Sequence, residues 1–262
     1  MHVLGRDIFL LHPNGEISIY SFEKNERIRI GATDSPALVL KSLSRDKIIS
    51  GHIDGKIRIW DFASKTIRIL GGHSQPVISL TADYQGRIYS GGLDRSLKQW
   101  DFDRNRVNVA EETGETAYHL RLYPRGKILA ASSKDLKGCA SAAQTNLIRI
   151  LDFEDGRCRT IPSPSERAFT SINVYFDGRI IATLAATQKE AEKERDLVII
   201  SPGEDRTEFH ILAGHSKETK DSLVMGPKII TCGSEDSLHH SLRVWGTEFF
   251  VRMESGKLTL QG

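Results

Sequence analysis

One interval constrains this chain more than any other feature. A short phrase, a basic residue followed by apolar residues and usually a small one, recurs six times. It reads RDIF from Arg6, KIIS from Lys47, RIYS from Arg87, KILA from Lys127, RIIA from Arg179 and KIIT from Lys228. A second phrase follows each copy, starting at Glu16, Lys56, Ser96, Leu147, Leu197 and Ser241. From each second phrase to the next first phrase the distance is 31, 31, 31, 32 and 31 residues. Within a unit the two phrases lie 10, 9, 9, 20, 18 and 13 residues apart, so the length variation is confined to one connection. A fixed period of about 40 residues is the mark of a repeat architecture.

Each unit reads as four short strands. Leu40, Leu80, Leu120 and Ile172 stand seven residues before their first phrases, in stretches that suit an inner strand. After the second phrase come alternating runs: TIRIL from Thr66, EFHIL from Glu208 and KLTL from Lys257. Alternation of aliphatic with polar residues signals half-buried strands. Asn14-Gly15, Asp54-Gly55, Gln85-Gly86 and Asp177-Gly178 supply tight turns between them. No long segment has helical periodicity. The units divide at about 1–35, 36–75, 76–116, 117–167, 168–216 and 217–262, and the whole chain reads as one all-β domain.

The 262 residues hold 36 Lys+Arg against 34 Asp+Glu, a net charge of +2, with no basic run, so bulk charge points to neither nucleic acid nor an anionic membrane. Three cysteines without a C-x-x-C spacing argue against a disulfide framework and fit a reducing compartment. The N-terminal residues lack the layout of a secretory signal, and no apolar run approaches the ~18 residues of a membrane span. The expectation is a soluble, cytoplasmic chain.

A four-stranded unit with Gly-His near its start and Trp-Asp late resembles a blade of the WD-repeat β-propeller family. The third unit fits best, with Gly72-His73, Ser90, Asp94 and Trp100-Asp101. By that resemblance His73, Ser90, Asp94 and Trp100 form a hydrogen-bonded relay from the Gly-His loop to the third strand. The second unit offers Ser50, Asp54 and Trp60, with Gly31-Ala32 where Gly-His is expected. The sixth offers His215, Asp236 and Trp245, with Cys232 at the hydroxyl position. All three tryptophans take the same place in their units. The implied fold is a β-propeller of four-stranded antiparallel blades, six in this chain or part of a larger propeller. A sixfold ring would have an imperfect seam, and a seam that stays open exposes strand edges and invites self-association.

The relay residues read as structural, since a hydroxyl committed to its neighbours is not a nucleophile and no glycine-rich elbow suggests an oxyanion hole. Function is expected in the long connections of units four to six, which the resemblance places on the face of the Gly-His loops. There Lys134 and Lys137, then Gln188, Lys189, Glu190, Lys193 and Arg195, then His239 and His240 form the candidate rim for a partner. Ile53 and Leu93, each just before a relay aspartate, add apolar contact on the same face. His239-His240 with Cys232 and His215 does not read as a zinc site, because adjacent strand residues point to opposite faces. The reading is therefore a non-catalytic scaffold that binds a protein or peptide, with no cofactor, no metal, no nucleic acid and no membrane. Two alternatives stand beside it. One is a regulatory or sensor propeller belonging to a larger protein. The other is a metal-dependent propeller hydrolase, for which Asp34, Glu115, Glu166 and Asp221 are the available carboxylates without a repeated position.

Overall fold

The computed structural model describes residues 2–4, 7–101, 106–110, 116–132, 146–164, 167–185, 197–203, 206–212, 218–226, 228–234 and 240–245. Every regular element among them is a strand, and every strand pairing is antiparallel between chain neighbours. The chain falls into two compact units, Met1–Thr160 and Ile161–Gly262.

The first unit holds four sheets of four strands each. The first sheet is β1 (His2–Leu4), β2 (Asp7–Leu11), β3 (Glu16–Ser21) and β4 (Glu26–Ala32). The second is β5 (Ala37–Ser44), β6 (Lys47–His52), β7 (Lys56–Asp61) and β8 (Thr66–Gly72). The third is β9 (Val77–Ala82), β10 (Arg87–Gly92), β11 (Leu97–Asp101) and β12 (Arg106–Ala110). The fourth is β13 (Ala117–Tyr123), β14 (Lys127–Ser132), β15 (Leu147–Leu151) and β16 (Cys158–Pro162). The recurring basic-apolar phrase thus builds the second strand of a sheet and the later phrase builds the third.

Successive sheets stack face to face through one repeated apolar layer. Ile49, Ile57 and Ile59 of the second sheet meet Val77, Leu80, Ile88 and Trp100 of the third. Tyr89 and Leu97 of the third meet Leu120, Ile128 and Leu151 of the fourth. Phe9 and Ile17 of the first meet Leu40, Ile48 and Trp60 of the second. In each layer one sheet gives alternate residues of its second and third strands. The next gives an inner-strand leucine, a second-strand isoleucine and the side chain at the tryptophan position. Period-2 alternation on both strands makes this possible, because it sends one residue set to each face of the sheet.

A polar clamp joins the third and fourth sheets at the turn between β9 and β10. The buried Asp83 carboxylate accepts the N–H groups of Gln85 and Arg87 (both 2.9 Å) with one oxygen. Its other oxygen accepts Arg87 Nε at 2.6 Å and the Tyr89 hydroxyl at 3.2 Å. Gln99 donates on to Tyr89, and Asn108 donates to Gln99. Arg87 then reaches Glu154 of the fourth sheet at 3.1 Å.

The second unit holds a fifth sheet of β17 (Phe169–Val174), β18 (Ile180–Leu184), β19 (Leu197–Pro202) and β20 (Thr207–Leu212). The sixth sheet has β21 (Glu218–Met225), β22 (Lys228–Ser234) and β23 (His240–Trp245), three strands among the described residues. The KLTL run from Lys257 lies outside those residues. Ile181, Leu197 and Ile199 of the fifth sheet pack on Ile229, Val224 and Trp245 of the sixth, the same layer again. Thr170 adds a hydrogen bond to the Thr219 carbonyl at 2.9 Å, and Ser171 and Asn173 meet Ser222.

Candidate functional site

The best-defined polar site of the chain lies where the β10–β11 turn meets the loop before β9. Trp100 Nε1 donates to Ser90 Oγ at 2.8 Å, Ser90 Oγ lies 2.7 Å from His73 Nε2, and His73 Nδ1 lies 2.9 Å from Asp94 Oδ1. An indole N–H only donates and a carboxylate only accepts, so the protons run one way: Trp100 to Ser90, Ser90 to His73, His73 to Asp94. This fixes the neutral imidazole with its proton on Nδ1. Burial pushes the His73 imidazole below its ordinary value and outweighs the bond to Asp94, which works the other way. Burial alone would raise the Asp94 carboxyl; the bonds from His73, Ser96 and the Ser74 N–H prevail and hold it low. Ser90 is completely buried, its hydroxyl donating to His73 and accepting from Trp100, so this Ser-His-Asp set has no hydroxyl left to attack a substrate.

The second sheet reaches the same end by a different route. Trp60 Nε1 donates to Ser50 Oγ at 2.7 Å, but the imidazole next to Ser50 is His52, with its Nε2 at 2.7 Å. His52 Nδ1 then donates to the Ser35 carbonyl at 2.8 Å. Strand register explains the substitution. Ile48 pairs with Trp60 as Ile88 pairs with Trp100, which puts His52 at the place of Gly92. A Cβ on Gly92 would stand 2.5 Å from His73 Nδ1, so the strand must be bare there when the loop supplies the histidine. In the second sheet the strand supplies it, and the loop position is taken by a threonine. The Thr33 N–H donates to Gly15 O as the His73 N–H donates to Gly55 O. One imidazole-sized space is thus filled from opposite sides in neighbouring sheets.

This geometry corrects three sequence expectations. The residue in register with His73 is Thr33, one position beyond Gly31-Ala32. Asp54 is outside the relay of its sheet: Arg58 takes it through both carboxylate oxygens, at 3.1 and 2.7 Å, and this hydrogen bonding brings its carboxyl down to about 2. In the sixth sheet Trp245 donates to Thr231 Oγ1 at 3.2 Å, so the hydroxyl position is Thr231 and not Cys232. His52 was detectable as Ser-x-His, two residues on one face of a strand; its Gly51-His52 dipeptide lies within the second strand, not before an inner strand where a Gly-His pair is expected.

Around these locks the turn between second and third strands is pinned to the loop before the inner strand. The Ile53 N–H donates to the Pro36 carbonyl at 3.0 Å, and the Leu93 N–H to the Pro76 carbonyl at 2.9 Å. Ile53 stands 48% exposed beside this anchor, and Leu38, one strand position past Ala37, is 47% exposed; Leu93 is half-buried. Lys134, Lys137, Gln188, Lys189, Glu190, Lys193, Arg195 and His239 lie outside the described residues, as do His215 and Asp236. Their segments run between β14 and β15, β18 and β19, and β22 and β23, that is, at the connection equivalent to the one carrying Ile53 and Leu93; His215 alone lies elsewhere, between β20 and β21. His240 opens β23 opposite Ser234. Of the acidic candidates, Asp34 and Asp221 are exposed, while Glu115 and Glu166 are outside the described residues.

The two buried histidines give a pH prediction. Both have folded values below 6.5, burial being the main cause in each. The unfolded chain therefore binds protons first as pH falls, and stability rises with pH in that window. Stability should be full above about pH 6.5 and should fall below it by up to about 1.4 kcal/mol per pH unit for each histidine held neutral. Melting curves taken from about pH 7.5 to 5 check this, and a flat profile over that range would remove both histidines from the account. The low carboxyls of Asp54 and Asp94 act in the same direction but only at more acid pH.

Residues 64–101 match the sequence family described as WD domain, G-beta repeat. No curated protein matches the sequence of this chain. Among solved structures the chain resembles one from the crystal structure of the mitotic checkpoint complex, with a TM-score of 0.73 at 18% identity over 92% of this chain and 71% of that one. It also resembles the computationally designed Ika8 protein, with a TM-score of 0.64 at 12% identity over 94% and 70% of the two chains. Residues 64–101 thus carry a WD repeat, and the sheets around them share the fold of the β-propeller structures that the chain resembles.

Proposed function

We propose that this chain is a non-catalytic scaffold that binds a protein or peptide on the face of its Gly-His loops. The observation that carries this is Ile53, an exposed isoleucine on a turn fixed by a backbone bond to Pro36 and by the buried lock of Ser50 and His52 beneath it. A rigid turn presents an apolar side chain without losing ordering entropy on binding, and this favours affinity. The lengthened connections of the fourth to sixth sheets, with Lys134, Lys137, Lys189, Glu190, Lys193 and Arg195, add charged contacts for choosing a partner. Family habit supports the reading, since WD-repeat propellers commonly serve as platforms for other proteins.

The test is affinity capture from lysate with three baits: the intact chain, Ile53→Asp, and a chain with residues 133–145 and 186–196 shortened to the length of the β6–β7 turn. Melting curves first establish that all three are folded. A protein held by the intact chain and lost from both variants is the expected result. Equal capture by all three would place binding on another surface.

A further inference from the structure

Each sheet of the first unit ends in a fourth strand that has one hydrogen-bonded neighbour among the described residues, so one row of its N–H and C=O groups faces outwards. Such edges are ordinarily guarded by charge. β4 is guarded in this way: Glu26, Arg27 and Arg29 stand on it, and both arginines reach Glu16. β12 carries two exposed valines about Asn108, whose amide is committed to Gln99. β8 differs from both. Its seven residues, TIRILGG, hold one charge, Arg68, and every residue from Thr66 to Ile69 is exposed.

Register sorts the side chains of β8. Ile67 pairs with Trp60 and Ile69 with Arg58, so both isoleucines turn toward the first sheet, on which Trp60 packs. Gly31 of β4 lies against the same indole, and a Cβ there would stand 3.8 Å from Ile67 Cδ1. Ile28, paired with Ile19 of that layer, faces the two isoleucines from β4. Ile28, Ile67 and Ile69 are 37%, 46% and 52% exposed. Arg68, paired with Ile59, turns to the opposite side, toward the third sheet. The edge thus presents a free backbone row, an apolar pair on one face and a cation between them on the other.

We propose that β8 is a docking edge for an extended strand of another protein, one that carries an acidic residue between two apolar residues. In an antiparallel pair, residues directly opposite share a face of the sheet. The partner's apolar residues therefore lie against Ile67 and Ile69, on the side of Ile28, and its carboxylate lies against Arg68. Main-chain bonds supply affinity and the alternating side chains supply the choice of partner. Arg68 also argues against a second copy of this chain as the occupant. Two β8 strands pairing antiparallel about their centres set Arg68 against Arg68, and like charges directly opposite destabilise a strand pair. This surface is separate from the turns that carry Ile53 and Leu93.

The test titrates the full chain with two capped peptides of about seven residues, one alternating valine with glutamate and one alternating valine with lysine. The glutamate peptide should bind with a Kd of about 1 mM or lower and slow hydrogen exchange at alternate N–H groups of β8. The lysine peptide should bind about tenfold more weakly or worse. Arg68→Glu should reverse that preference, and Ile69→Asp should weaken the glutamate peptide about tenfold. Both substitutions change exposed side chains, and melting curves establish that the variants are folded; Ile69→Asp serves alone if Arg68→Glu is not. No binding of the glutamate peptide at about 1 mM overturns the proposal. So does equal binding of the two peptides, an unchanged preference in Arg68→Glu, or protection on strands other than β8. Self-association of the chain that Ile69→Asp abolishes also overturns it, since a second copy then takes the edge.

Discussion

Asp83→Ala should lower the stability of the first unit by about 3 kcal/mol, since removing one partner from a buried, multiply bonded charge strands the others. Four donors converge on that carboxylate: two turn N–H groups, Arg87 Nε and the Tyr89 hydroxyl. Their loss would leave Arg87 with the exposed Glu154 as its remaining acidic partner, and would remove the Tyr89 hydroxyl's acceptor in a buried site. Asp83→Asn should be milder, because an amide oxygen can still accept the two turn N–H groups while its NH2 now faces donors. Urea unfolding of the three proteins measures the differences. An alanine variant within about 0.5 kcal/mol of the parent would show that water replaces the carboxylate without loss.

The second large effect concerns the exchange of histidine between strand and loop. His52→Gly should cost about 2–4 kcal/mol, combining an imidazole-sized void with the loss of the Ser50 acceptor. Thr33→His alone should also destabilise, because a loop imidazole would enter space that His52 fills. The double variant Thr33→His/His52→Gly reproduces the arrangement of the third sheet, where Gly92 is bare and His73 enters from the loop. It should therefore be more stable than either single variant, with a coupling energy of about 1–3 kcal/mol in a double-mutant cycle. Additive losses would show that the two positions do not share one space. Arg58 limits the recovery, since it holds the carboxylate of Asp54, whose counterpart Asp94 accepts from the histidine in the third sheet.

Much of this architecture can be read from residue order. The constant interval of 31–32 residues spans a third strand, a fourth strand and the next inner strand, whose lengths are set by one layer of packing. Leu40, Leu80, Leu120 and Ile172 are buried in inner strands because each stands at the same distance before a second strand. The presence of a polar lock is also legible. Ser50, Ser90 and Thr231 accompany the three tryptophans, whereas Ala130 and Ala182 accompany Leu151 and Ile200, which have no N–H to place. A dipeptide pattern does not show which segment fills the lock. His52 and His73 arrive at equivalent spaces from different chain positions, and only strand register reveals the equivalence.

The choice between strand and loop histidine also bears on the order in which a growing chain can become structured. In the second sheet the tryptophan, the hydroxyl and the imidazole all lie between Lys47 and Asp61, within a single hairpin. That hairpin can satisfy its indole and hydroxyl by closing one short loop, before any contact with earlier residues is needed. In the third sheet the imidazole precedes its hydroxyl by 17 residues and is separated from it by the whole inner strand. Its hairpin must recruit the segment before β9 to satisfy the same two groups. During synthesis from the N-terminus, the second sheet can therefore set while its successor is still emerging, and offer it a finished surface on which to fold.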